Sequence, residues 1–319
     1  MQKTITKETY QRMRRWIYRY AFHIDLTLFQ FHIENGTKEE VVKALSFYQN
    51  EDGGFVSFDP DCWNPNSSPL ATLSAYDTLK EIGITDKNHE MVKAMINYMS
   101  QCEYCTEQGC YWSIPSNNKY PSQAYFLFPH APWHPEDWPA EGYVNGKYVD
   151  FVLTYYTEDS PMYQKIRKVI DYRISNLQKY QEFCSFTCDM EQEIETNDWL
   201  NLFEALEKHQ IMSRDECDIL QNQLLAMTKE YAQPSVYESM IRQLKEKESI
   251  STYGYLTDDI LDEMIDSICI NRDWSEDGLL CNNPEERVKE LTCIGNIMWP
   301  IVELINKLAK LKRHHRIEG

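Results

Sequence analysis

YQNEDGGFVSFDPDCWNPNSSP, residues 48–69, decides how this chain is read. Two adjacent glycines, Gly53 and Gly54, stand between an apolar-periodic stretch and one opened by proline. Glycine adopts positive φ without steric cost, so the pair predicts a tight turn. Gln49 carries an amide that can bond orphan backbone groups at two helix ends, and the Phe55 ring can close the joint. Ser68 followed by Pro69 is an N-cap with proline at the first helical position, so a helix begins there. Gln49, Asp52, Gly53, Gly54 and Phe55 are therefore read as a structural turn, a clasp between two helices. Residues 59–66 behind it, "DPDCWNPN", carry the chemistry-bearing side chains.

Outward from this turn the helical period dominates. Trp16, Ile17, Tyr20, Ile24, Leu28 and Phe31 predict a helix over 8–34, stopped by Asn35-Gly36. Thr37 with Glu40 forms a capping box for the next one. The stretch after Pro69 runs to Gly83, and Met91, Met95, Ile96 and Met99 mark a helix over 89–101. Further helices are predicted over 160–180, 197–210, 213–231, 234–249, 257–270 and 295–312. The acidic run 190–199 reads as a solvated loop before Trp199. No run of alternating strand type stands out, so the fold class is all-α.

Composition narrows the partners. Lys and Arg total 32 against 50 acids, a net charge of −18, which argues against a phosphate backbone because that affinity comes from basic residues. No apolar stretch reaches the length of a bilayer span and no signal-type run opens the chain, so no membrane insertion is expected. Ten cysteines without an export signal suggest reduced thiols and a cytoplasmic location. The basic run 307–316 reads as cations set against a helix C-terminus.

One segment departs from the helical pattern. Residues 111–148 contain Pro115, Pro121, Pro129, Pro132, Pro135 and Pro139 with three tryptophans. Proline at that density forbids a long helix, and rings in a loop imply something to lie against. It is read as an ordered loop of a single domain spanning 1–319. Just before it, Cys102, Cys105 and Cys110, with His130 or His134 downstream, make a partial zinc pattern, although a structural zinc site wants four ligands, usually in two close pairs. The simpler reading is core cysteines at a helix end, with no metal.

The helix, Gln-Asn-Glu-Asp-Gly-Gly-Phe turn and Ser/Pro-capped helix resemble the repeat of the terpenoid cyclase and protein prenyltransferase superfamily. Gly109 with Trp112 and Gly278 with Leu279 are further matches to the repeat, which is degenerate between them. The resemblance implies an α/α toroid, a ring of helical hairpins around a central cavity binding an apolar or ring-shaped small molecule, an isoprenoid or a sugar. The acid motif of the cyclases falls at Asn64-Pro65-Asn66-Ser67-Ser68, where amides and hydroxyls replace the acids, and no zinc triad of the transferases is present.

Asp59 and Asp61 keep an Asp-x-Asp spacing and are the candidate catalytic acids, since two close carboxylates can share a proton. Trp63, Asn64, Asn66, Trp133, His134 and Trp138 are the candidate substrate-binding residues. Paired carboxylates with tryptophans also describe (α/α) barrel carbohydrate hydrolases and lyases. The third alternative is a non-catalytic binding or interaction module.

Overall fold

The computed structural model describes residues 2–129, 144–270 and 295–318. These contain thirteen α-helices and no strand. They are α1 (Lys7–Tyr20), α2 (His23–Ile33), α3 (Lys38–Ser46), α4 (Pro69–Glu81) and α5 (Glu90–Gln101), then α6 (Asn145–Tyr155), α7 (Pro161–Ser175) and α8 (Lys179–Cys184). The last five are α9 (Asp189–Lys208), α10 (Arg214–Tyr231), α11 (Pro234–Tyr253), α12 (Asp258–Ile270) and α13 (Gly295–Arg313). The sequence predicts one domain; the residues group into two compact units, Met1–Phe47 with Gln243–Gly319, and Tyr48–Arg242. Among the described residues no helix is long and apolar enough to cross a membrane.

In the first unit, α2 packs on α3 and α13, and α13 also receives α1 and α12. Met13, Ile17, Phe29, Ile301, Leu304 and Leu308 form its core. The sequence predicts a single helix over 8–34, but the chain opens into extended backbone at Ala21 and Phe22 and restarts as α2. No proline or glycine forces this break. Buried residues of both segments join one cluster, so tertiary packing overrides local propensity. Thr37 and Glu40 form the expected capping box, at 3.2 Å and 2.8 Å.

The second unit is built around α6, which packs on α9, α7 and α4. Its buried residues run almost continuously, Asn145, Gly146 and Tyr148 through Val152, so it has no solvated face of ordinary width. Gly146 is where α6 meets α9: a Cβ there would lie 2.6 Å from the Asp198 carbonyl oxygen and 2.7 Å from the Leu202 amide nitrogen. Only glycine allows that approach.

The acidic run read as a solvated loop is instead the first half of α9, with Glu191, Gln192, Glu195 and Asp198 buried. Tertiary partners explain the difference. Arg173 of α7 pairs with Glu195 at 2.7 Å and with Asp198 at 3.4 Å, its guanidinium lying over the Trp199 ring. Asp198 in turn accepts the Gly146 amide at 2.9 Å, capping an α6 N-terminus that has no cap of its own.

Candidate functional site

The turn over residues 49–55 is held by its own side chains. Gln49 Nε2 donates to the Gly53 carbonyl at 3.0 Å and to the Met91 carbonyl, on the first turn of α5, at 3.2 Å. Asp52 accepts the Gly54 amide and the Ser67 hydroxyl, at 2.9 and 2.7 Å. Gly53 has φ of 88° and lies against the Ala94 carbonyl, where a Cβ would approach to 2.3 Å. The fully buried Phe55 donates its amide to Thr72 Oγ1. Every one of these groups serves the joint between α4, α5 and the preceding chain.

The candidate acids lie in a tightly bonded loop. Asp59 Oδ1 accepts the Asp61 amide at 2.8 Å, and the fully buried Asp61 receives the Tyr125 hydroxyl. Burial pushes the Asp59 carboxyl up to about 7; the Asp61 amide opposes this rise and the Asp61 charge adds to it. Asn64 donates to Ser116 and Asn117 and accepts the Asn66 amide. Trp63 is half exposed, its indole N–H bonded to the Pro60 carbonyl. The space lined by Cys62, Asn64, Asn66 and Trp112 is about 10 Å³, room for a single water. Trp133, His134 and Trp138 lie outside the described residues, as do His130, Gly278 and Leu279.

Two of the three cysteines in the partial zinc pattern meet each other. Cys105 and Cys110 face across an isolated antiparallel bridge and are joined as a disulfide. That differs from the reduced thiols expected from composition, because the short turn between them brings the two sulfurs together. Cys102 Sγ is instead 3.7 Å from the Tyr98 hydroxyl, and its burial pushes the thiol up. Among the described residues no three His, Cys, Asp or Glu side chains form a metal-binding group.

The strongest polar constellation is one the sequence reading does not contain. Asp150, in the middle of the buried helix α6, accepts the Tyr76 hydroxyl at 2.9 Å and the Lys80 ammonium at 3.0 Å. It also accepts Lys208 at 2.7 Å and is 2.9 Å from His209 Nε2. Burial raises this carboxyl, but the hydrogen bonds from Lys208 and His209 and the Lys80 charge outweigh it and hold Asp150 well below the usual carboxylate range. In a neutral His209 ring, Nε2–H donated to the ionised Asp150 leaves the lone pair on Nδ1. His209 is the C-cap of α9, so helix packing sets the ring's anchor point.

Two clefts flank this cluster. One, of about 200 Å³, is lined by Asp77, Lys80, Lys147, Asp150, Glu204 and Lys208 among others. Its lysines are matched internally: Lys147 with Asp77 at 2.8 Å, and Lys80 and Lys208 with Asp150. The other, of about 360 Å³, has His209 in its wall. Leu153 and Ile211 supply its apolar surface, Tyr156 and Tyr163 its rings, and Thr157 and Glu158 its remaining polar groups. An imidazole oriented by a buried carboxylate, with its second nitrogen unbonded, can accept a proton from a molecule in that cleft.

Comparison with protein-family models, with curated proteins and with solved structures finds no match for this chain.

Proposed function

We propose that the unit Tyr48–Arg242 binds a small organic molecule in the cleft beside His209, and that His209, oriented by Asp150, exchanges a proton with it. The observation that carries this reading is the His209 Nε2–Asp150 hydrogen bond at 2.9 Å, made to a carboxylate that three further donors keep ionised. The cleft volume of about 360 Å³ lies in the range of small-molecule sites, and its mixture of aliphatic, aromatic and a few polar groups is their usual composition.

This reading is preferred to a cavity at residues 59–66. Support for a terpenoid cyclase- or prenyltransferase-like α/α toroid is confined to the all-helical fold and the Gln49–Phe55 turn, and the space beside Asn64 and Asn66 has room for no more than a single water. The carbohydrate reading needs two carboxylates facing one cleft. Asp59 and Asp61 bond within a single turn instead.

The test is native mass spectrometry of the full chain, purified with its retained small molecules, beside the His209→Gln variant. A molecule held by the parent and weakened about tenfold in the variant is expected, as for one lost hydrogen bond to a polar ligand. Identical retention by both proteins, or retention by neither across a metabolite mixture, would remove His209 from the site.

A further inference from the structure

The cleft beside His209 has an unequal supply of hydrogen-bonding groups. Its tyrosine and threonine protons are largely committed elsewhere. Tyr156 donates its hydroxyl proton to the Ile96 carbonyl at 2.8 Å, and Thr157 donates its own to Asp159. What these two oxygens still offer is lone pairs. A neutral His209 is in the same position: with Nε2–H on Asp150, only the Nδ1 lone pair remains. Glu158, an exposed side chain with no ion pair among the described residues, adds a carboxylate, which is acceptor-only. Tyr163 is the one lining side chain with a hydroxyl proton still to give.

A molecule that satisfies this wall must bring donors, several of them, and should carry positive charge. A neutral alcohol has one O–H, and an anion would meet four acceptors and the Glu158 charge. An ammonium group has three donors and a full charge, and a guanidinium has five. The rings of Tyr156 and Tyr163 favour a cation further, through their negative faces. Leu153 and Ile211 leave room for an apolar body. The whole-chain charge of −18 acts in the same direction, raising the local concentration of cations and lowering that of anions.

From this donor and acceptor inventory we infer that the cleft takes a small organic cation, an ammonium or guanidinium head on an apolar, ring-sized body. Glu158 supplies the countercharge and His209 Nδ1 accepts one N–H. The inference rests on the reading of the His209 cleft as a binding site and names the class of molecule that enters it.

Three probes with one body and different heads separate the possibilities: benzylamine, benzyl alcohol and benzoate, each added to the full chain at neutral pH, where the amine is protonated. Binding is followed through the imidazole nitrogen signals, with His209 identified by its loss in His209→Gln. Benzylamine is expected to move the His209 signal and to bind about tenfold more tightly than benzyl alcohol, with benzoate weaker still. Glu158→Gln should keep the parent melting temperature, since Glu158 is exposed and unpaired, and weaken benzylamine by roughly tenfold.

Benzoate or benzyl alcohol binding as tightly as benzylamine, while moving the His209 signal, would overturn the cation inference and leave the cleft reading standing. Unchanged benzylamine affinity in Glu158→Gln would do the same. If none of the three moves the His209 signal, both the cation and the His209 site fail together.

Discussion

Asp150 is the only charge in the run Tyr148–Tyr156, "YVDFVLTYY". An isolated acid in so apolar a stretch must either be exposed or find partners, because a buried unpaired carboxylate is very costly. That signal was present in the sequence, but its partners Tyr76, Lys80, Lys208 and His209 are 58 to 74 positions away in the chain and no spacing rule links them. The turn at 49–55 is legible for the opposite reason: Gln49, the glycine pair, Phe55 and the Ser68-Pro69 cap all lie within one short stretch of sequence, although Gln49 also reaches Met91. A pH prediction belongs to single carboxylates. The Asp59 carboxyl is raised to about 7, so the folded chain holds its proton more tightly than the unfolded one. Its contribution to stability is greatest below the ordinary value of about 4 and is lost as pH rises towards about 7. Asp150 is depressed, so its contribution is present above about 4 and is lost only as pH falls below that. The urea midpoint should therefore fall between about pH 4 and about pH 7, and Asp59→Asn, which keeps the acceptor for the Asp61 amide, should reduce that slope. A variant with the parent slope would remove Asp59 as its source.

At the scale of elements, α6 and α9 are where sequence reading and structure part. Helix α6 was hidden because the Asn145-Gly146 pair at its start reads as a turn, and because its apolar residues cover nearly all of its surface rather than one stripe. The first half of α9 was hidden because acids read as solvated until a cation from another helix is known. Helices with one apolar stripe and a local cap, such as α3 and α10, were legible from their own residues. The cation in question, Arg173, sets the element-scale prediction. Glu195 and Asp198 have side chains 9% and 1% exposed, so Arg173→Met leaves two carboxylates buried without their partner. A loss of about 3–5 kcal/mol is expected for such a break, read from urea unfolding. Adding Glu195→Gln and Asp198→Asn should restore a substantial part of it. A loss within about 1 kcal/mol, the scale of a surface pair, would mean the cluster is solvated.

At the scale of the whole molecule, the unit Met1–Phe47 with Gln243–Gly319 is drawn from both ends of the chain. Ile5 and Ile317 form a parallel bridge, with the Ile5 amide bonded to the Arg316 carbonyl and the Glu318 amide to the Ile5 carbonyl. Arg316, its side chain 3% exposed, reaches the Lys3 carbonyl, Asp262 at 2.8 Å and Asp258 at 2.7 Å. The pairings of Ile5 and Lys3 with the last residues span more than 300 positions and those of Arg316 with Asp258 and Asp262 span 58 and 54, with no local pattern, so nothing in the sequence announces them. Arg316→Met should loosen this unit by removing the bonds its side chain makes to the Lys3 carbonyl, Asp258 and Asp262. Amide exchange at Ile5 and Glu318 would report it; unchanged protection would show that backbone pairing alone holds the ends.

The same bridge orders events at the ribosome. Residues 48–242 are contiguous, so that unit has all its partners once its own stretch has emerged. Ile5 must wait for a residue 312 positions later. Helices α1, α2 and α3 therefore wait through the synthesis of everything between them and α13 with Met13, Ile17 and Phe29 uncovered by α13. Translation at about 5–20 residues per second makes that an interval of order tens of seconds, long enough for a chaperone to occupy the apolar face. Cross-linking of stalled nascent chains would detect such an occupant on α1–α3 before α13 is made, and its release afterwards.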